Sequence, residues 1–286
     1  MEEPLSPQCR MTAHIRSGPR PRHTQGQTPP HRSARSREQV NVGPRVCPSA
    51  RGQHAHPFRR TSVKTIALAA AKGGVGKTTL AAALATAATM SCRGFRVCIA
   101  DLDPQGSLTE WWNDRESTHP QLVSSADRPL AQELRAWRAD GFHLAILDCP
   151  PGYANAIHKE AIALSNLVLV PTGPGPLDLH AVASTAQMAE GAGKPFRYVL
   201  NRAVCRSRIA GRAVEELRSR GGLLWPPVHN RVQISAAMAA GLTVLETKPD
   251  SVAAKELSDL WQAVRRLIDG IPEQPRARST GGGRRS

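Results

Sequence analysis

No stretch of this 286-residue chain approaches the roughly 20 consecutive apolar residues of a membrane span, so it is not expected to cross a bilayer. The basic N-terminus is followed by no apolar h-region, which argues against a secretory signal peptide. Cysteine is sparse: six residues, no CxxC pair, and nothing near the density of a disulfide scaffold. A reduced, cytosolic setting is the expectation. No internal repeat is visible. Positive charge, by contrast, is abundant. Lys and Arg number 38 against 23 Asp and Glu, a formal +15, which suggests a polyanionic partner. At roughly 100–200 residues per domain, the length fits one domain with tails or two small domains.

The charge is unevenly spread. Residues 1–60 hold 11 arginines, no lysine and three acids, with nine of the 23 prolines and half of the ten histidines. They lack apolar periodicity of either kind, cannot bury a core, and are expected to be disordered. Three readings of this segment stand: a solvated tail, a basic arm adding DNA affinity through counterion release, or sequence upstream of a start near Val63. Residues 271–286 carry four Arg against one Glu and read as a second flexible tail. The stretch 61–270 keeps 23 basic and 19 acidic residues and is the expected globular domain.

Within it, short apolar runs alternate with helical stretches. Strands are expected over 63–71, 95–100, 143–147, 167–170, 196–200 and 223–228. Helices are expected over 78–91, 130–139, 153–164, 177–190, 208–220 and 252–267. This alternation predicts an α/β fold: a doubly wound, mostly parallel sheet with helices on both faces.

Between the first strand and the first helix stands Ala71-Lys72-Gly73-Gly74-Val75-Gly76-Lys77-Thr78-Thr79. A phosphate loop belongs at that junction. Glycines let backbone N–H groups converge on phosphate oxygens, and the helix N-terminus adds its positive dipole end. Lys77 would contact the β- and γ-phosphates, and the Thr78 hydroxyl would ligate Mg²⁺. The strict GxxxxGK[ST] pattern fails at its first position, where Ala71 stands, but a second lysine, Lys72, precedes the paired glycines. KGGVGKTT resembles the deviant Walker A signature of the ParA/MinD family of P-loop ATPases, and the resemblance runs from about Val63 to Leu267. It implies ATP and Mg²⁺ as cofactors, nucleotide contacts from residues 72–79, and a sandwich homodimer in which Lys72 reaches the partner's nucleotide. Such a lysine couples dimerisation to hydrolysis, much as a trans arginine finger would.

Asp101-Leu102-Asp103-Pro104-Gln105 resembles the family's switch I segment. Alternate residues on an extended chain share a face, so Asp101 and Asp103 point the same way. The resemblance implies that Asp103 orients or activates the attacking water and that Asp101 supports the magnesium shell. Ile146-Leu147-Asp148-Cys149-Pro150-Pro151-Gly152 resembles Walker B running into switch II, with Asp148 at the carboxyl end of a strand, where ligands bind in such sheets. Asp148 would hold Mg²⁺ through water. Cys149 is expected to be an inert buried thiol; a cluster role, as in the related nitrogenase iron protein, lacks a second cysteine at suitable spacing.

Residues 168–178, with their Pro- and Gly-rich loop, and 107–111 resemble the small plasmid-partition ATPases. Leu200-Asn201-Arg202 resembles the strand end that approaches adenine, which makes Asn201 a base-contact candidate. Arg202, Arg206, Arg208, Arg212, Arg218, Arg220 and Arg231 crowd the next 30 residues, against only Glu215 and Glu216. The family binds DNA without sequence preference, so Arg202, Arg206, Arg208, Arg212 and above all Arg231 are the DNA-contact candidates. The competing expectation is a solvated helix face with Arg212 paired to Glu216 at i,i+4. The resemblance implies a cytoplasmic, nucleoid-associated partition ATPase with a small centromere-binding partner protein; the Gly-, Pro- and Arg-rich last residues, without large apolar side chains, argue against membrane contact. Alternatives are a positioning ATPase for conjugation or another cargo, a nucleotide-gated DNA-binding adaptor with little turnover, and a metabolic ligase of the same superfamily. Lys72 together with the DxDPQ segment argues against the ligase.

Overall fold

A computed structural model describes residues 63–272 apart from 124–127 and 153–154. The expectations for residues 1–60, and for nearly all of 271–286, lie outside the described residues.

Six parallel strands form one sheet: β1 (Lys64–Leu68), β2 (Val97–Asp101), β3 (Gln121–Leu122), β4 (Leu144–Asp148), β5 (Leu167–Thr172) and β6 (Phe196–Leu200), in the order β3-β2-β4-β1-β5-β6. Strands β1, β4 and β5 are buried along their whole length. Both faces are covered, which is why they read as unbroken apolar runs rather than as alternation. The two faces are nonetheless chemically distinct. Ile66 and Leu68 look into one core with Leu80, Leu84, Ile99 and Trp261. Ala67 and Ala69 look into the other with Leu147, Val170, Ile162 and Leu217.

Helices α1 (Lys77–Ser91), α2 (Ser107–Asn113), α7 (Val232–Met238), α8 (Val244–Thr247) and α9 (Val252–Gly270) cover the first face. Helices α3 (Leu130–Ala139), α4 (Ala156–Leu164), α5 (Pro176–Gly191) and α6 (Arg208–Ser219) cover the second. Helix α1 is buried on nearly every side, which its run of alanines permits, and α9 packs across it. This is the expected doubly wound, P-loop-type fold.

Most boundaries shift by a few residues, and three departures from expectation have a local cause. The first strand stops at Leu68, because the chain turns there into the phosphate loop. Helix α4 starts at Ala156, where the Asn155 side chain caps it by accepting the Ile157 N–H at 3.0 Å. The segment 223–228 makes an isolated bridge, Tyr198 to Leu223, with a second, Ala203 to His229, just beyond it. Pro226 and Pro227 have no N–H to give a ladder. The sheet's sixth strand is instead β3, two residues at the opposite edge.

Helix α2 is clamped to the segment before α8 by Arg115. Its guanidinium is almost wholly buried and reaches Glu246 at 2.7 and 3.2 Å, Gly241 O at 2.9 Å and His119 O at 2.8 Å. It also lies 4.5 Å over the Trp111 ring. Glu246 in turn accepts from the N–H and hydroxyl of Thr243. Gly241 closes the clamp: a Cβ there would sit 2.6 Å from the Asp114 backbone. Arg115→Ala leaves Glu246 without its buried partner, so a loss of about 3–5 kcal/mol is expected. Denaturant unfolding of the variant measures it, and a midpoint matching wild type would show the clamp to be ornamental.

Candidate nucleotide site

The carboxyl ends of β1, β2 and β4 meet at one level, with Leu68 and Asp101 both in register with Asp148. The loop that leaves β1 therefore runs directly over two carboxylates. Gly74 and Gly76 hold φ of 75° and 89°, the left-handed region that glycine enters without strain. Gly76 is needed for space as well, since a Cβ there would lie 2.2 Å from Asn201 Nδ2. Other elements brace the loop. Asn201, buried at the end of β6, donates to Val75 O at 2.8 Å, and the Arg202 guanidinium donates to Gly74 O at 2.7 Å. The Ala71 N–H donates to Thr185 Oγ1 of α5 at 3.1 Å, and the Gly152 N–H donates to Ala71 O at 2.9 Å. Lys77 opens α1 and is buried at the base of the loop; no acid stands in that helix's first turn to compete with an anion.

A cleft of about 650 Å³ opens above. One wall is the loop, with Gly73, Gly74, Gly76, Lys77, Thr78 and Thr79. Asp103 and α2 form a second, and Asn201, Arg202 and the 229–238 segment a third.

Asp148 is 1% exposed, and its Oδ2 accepts the Thr78 hydroxyl at 2.6 Å. Its Oδ1 is buried and has no partner among the described residues. Burial is the main reason its carboxyl is pushed up to about 7; the Thr78 bond and Lys77 oppose that, while Asp101 and Asp103 add to it. An orphaned carboxylate oxygen beside a threonine hydroxyl suits a hard divalent cation. No group of three or more His, Cys, Asp or Glu among the described residues forms a cage, and Mg²⁺ is ordinarily held by one or two carboxylates plus phosphates and waters. Thr78 and Asp148 fit that cation.

A carboxyl raised in the folded state binds its proton where the unfolded chain has released it. Stability of the ligand-free protein therefore falls as pH rises from about 4 to about 7, and the penalty is complete above 7. Asp148→Asn keeps an acceptor for Thr78 and removes the buried charge. It is expected to be more stable than wild type at pH 8, by a few kcal/mol at most, and equal to it near pH 4. Thermal unfolding at the two pH values tests this, and a variant less stable at pH 8 contradicts it.

Asp101 accepts the Thr109 N–H and hydroxyl at 2.9 and 3.1 Å and the Asp103 N–H at 3.1 Å, so it shapes the loop that carries Asp103. Asp103 faces the cleft and accepts the Gln105 N–H at 3.0 Å. Lys72 stands outside this cluster. Its ammonium pairs with Asp178 in the first turn of α5, and Gly173 and Gly175 leave room for that carboxylate.

Asn201 lines the cleft, but its Nδ2 serves Val75 and its Oδ1 accepts the Arg202 N–H at 2.9 Å. Of the five arginines singled out for DNA, Arg202 and Arg231 line the nucleotide cleft. Arg231 is engaged by Glu256 of α9, at 2.6 and 3.3 Å, and His229 shares that carboxylate at 2.8 Å. Burial raises the Glu256 pKa, but bonds from Arg231 and the His229 N–H outweigh it and the net shift is downward. Arg206, Arg208 and Arg212 are exposed. Glu216 pairs with Arg220 and not with Arg212. Cys149 is fully buried, and burial pushes its thiol far above the usual range, as expected of an inert thiol. Among the described residues no helix is long and apolar enough to cross a membrane.

Asp178 and Glu256 were not foreseen as site residues. An acid three residues beyond the Gly173-Pro174-Gly175 turn, at a helix start, was the available signal for Asp178. Glu256 gave none, since it reads as one polar residue of an amphipathic helix.

The CobQ/CobB/MinD/ParA nucleotide binding domain model matches residues 66–244. The chain is 33% identical over 193 residues to maintenance of carboxysome distribution protein A of Halothiobacillus neapolitanus, covering 64% of this chain and 87% of that one. It is 29% identical over 251 residues to the chromosome-partitioning ATPase Soj of Thermus thermophilus, covering 74% and 96%. Among solved structures, the septum site-determining protein MinD of Pyrococcus horikoshii, complexed with Mg-ADP, superposes with a TM-score of 0.60 at 18% identity, covering 74% of this chain and all of that one.

Proposed function

The chain belongs to the CobQ/CobB/MinD/ParA family of nucleotide-binding proteins, and from that premise we propose that it is a ParA-type ATPase whose Mg-ATP-bound homodimer binds DNA and is released by hydrolysis. The observation that carries the reading is the Thr78–Asp148 pair, with its orphaned oxygen, beneath a left-handed phosphate loop and beside buried Lys77. Residues 61–270 form the ATPase domain in this proposal, and 1–60 and 271–286 are basic extensions to it.

Residues 73–79 bind the phosphates through backbone N–H groups and the helix dipole. Lys77 neutralises the β- and γ-phosphate charge. Thr78 and Asp148 hold Mg²⁺, which supplies electrostatic stabilisation of the phosphoryl oxygens. Asp101 keeps the switch I loop in place, and Asp103 orients the attacking water. Asn201 supports the loop from below the base, with one N–H and one lone pair still able to meet adenine. Lys72 leaves Asp178 and acts on the partner subunit's nucleotide when two copies close face to face.

The exposed arginines Arg206, Arg208 and Arg212, assisted by Arg202 and Arg231 near the cleft, contact DNA phosphates without reading sequence. A small centromere-binding protein stimulates hydrolysis, and the cycle operates on the nucleoid. A second reading keeps this chemistry and changes the cargo. The likeness to a carboxysome-distribution protein favours a positioning ATPase for a protein body or a conjugation complex. The adaptor reading, with negligible turnover, is the third.

Phosphate release by the purified chain, with and without DNA and a candidate small centromere-binding protein, separates them. Turnover stimulated by both supports partition. Stimulation by a cargo-linked protein instead supports positioning, and binding of Mg-ATP without turnover under any condition supports the adaptor. No Mg-ATP binding at all would remove the reading itself.

A further inference from the structure

His158 is a fully buried histidine that the chemistry above leaves without work. It lies in the first turn of α4 with no exposure, and its Nδ1 is 2.9 Å from the carbonyl of Pro150. A carbonyl can only accept, so Nδ1 carries the proton. In the neutral ring Nε2 is then a bare acceptor, and it is buried with no partner among the described residues. Burial lowers the pKa of the ring and keeps it in that form. A buried polar atom without a partner costs about 1–3 kcal/mol. The one bond the ring makes among the described residues is to the Pro150 carbonyl.

Pro150 lies two residues after Asp148, in the loop that leads to α4. Pro150 and Pro151 have no N–H. The loop is fixed by the Cys149 N–H donating to Leu68 O at 3.2 Å and the Gly152 N–H donating to Ala71 O at 2.9 Å. Both anchors tie it to β1 and the phosphate loop. His158 supplies the tie in the other direction, to α4. It therefore gives the loop that leaves Asp148 an anchor on α4 in addition to those on β1 and the phosphate loop.

We infer that His158 is a positioning residue for the cation-holding carboxylate, setting the placement of Asp148 through the Pro150 carbonyl. It touches neither nucleotide nor cation, and its effect is on Mg²⁺ affinity. The inference rests on the nucleotide reading above. A partner one step behind a metal ligand typically changes metal affinity 10–100-fold; His158 acts one step further back, so about tenfold is expected.

Two substitutions separate positioning from packing. Asparagine places an amide N–H where Nδ1 stands but leaves much of the ring's volume empty. Glutamine fills the volume better and places its amide near Nε2. If positioning is the role, His158→Asn keeps the Mg²⁺ dependence close to wild type, while His158→Gln raises the half-saturating Mg²⁺ for fluorescent-ADP binding about tenfold and leaves Mg²⁺-free affinity unchanged. The reverse order, or equal damage from both, means packing and overturns the inference, as does wild-type behaviour from glutamine. In the wild-type protein, ¹⁵N-histidine spectra should show the Nδ1–H form for His158; the Nε2–H form overturns the inference without any mutation. Nucleotide binding that ignores Mg²⁺ in wild type would instead sink the cation-site reading on which this one stands.

Discussion

Lys77→Ala is expected to lose nucleotide binding and to lower any residual turnover by about 10²–10³. Two effects act together. The variant removes the buried ammonium at the base of the phosphate loop, where the charge of the β- and γ-phosphates must be met in a poorly hydrated place. It also removes one of the two influences that hold the Asp148 carboxyl down. With Lys77 gone, Asp148 holds its proton to still higher pH, and a protonated carboxyl is a poor magnesium ligand. The fold should survive, because Lys77 is the first residue of α1 and alanine is the best helix former. Thermal unfolding with and without Mg-ADP reads both points at once. The ligand-free variant should melt near wild type, and the stabilisation that ligand gives the wild type should vanish. Undiminished stabilisation by Mg-ADP would remove Lys77 from the site.

What could be read from the sequence was what lies close together in it. The phosphate loop occupies nine consecutive residues, and its glycines are demanded by local backbone geometry, so spacing alone locates it. Asp101, Asp103 and Asp148 end apolar runs, and a parallel sheet brings such ends to one level. The two-residue strand β3 left no pattern to detect, and the expected strand at 223–228 failed at its prolines. Contacts made across the fold left still less trace. Lys72 to Asp178, Arg115 to Glu246, Asn201 to Val75 and Arg231 to Glu256 join residues 25 to 131 positions apart. In each case it is the pairing, and not the presence of a notable residue, that shows only once the chain is folded. Arg231 is the instructive case: an arginine after a turn looks like a free cation, yet a helix 25 residues later carries its carboxylate. The gross charge misleads in a related way, because most of the +15 lies in 1–60 and 271–286.

Asp103→Ala should do the opposite of Lys77→Ala: bind Mg-ATP, close into a dimer, and stay there. The Asp103 carboxylate faces the cleft but makes no described contact with Lys77, Thr78 or the phosphate loop, so its removal leaves the binding apparatus intact. In the proposed mechanism what goes is the group that orients the attacking water, and a loss of about 10²–10⁴ in turnover is expected. A protein that cannot hydrolyse cannot reset. With ATP present the variant should remain with DNA in co-sedimentation after wild type has been released, and raised salt should free it, as phosphate-only contacts require. One structural objection has to be met. Asp103 also accepts the Gln105 N–H, so alanine loosens a turn as well as removing a charge. Asp103→Asn keeps the acceptor and the turn but lacks the charge. If the charge is what matters, asparagine is as inactive as alanine and equally retained on DNA. If the turn is what matters, asparagine turns over like wild type, and Asp103 becomes a residue that shapes switch I without acting on water.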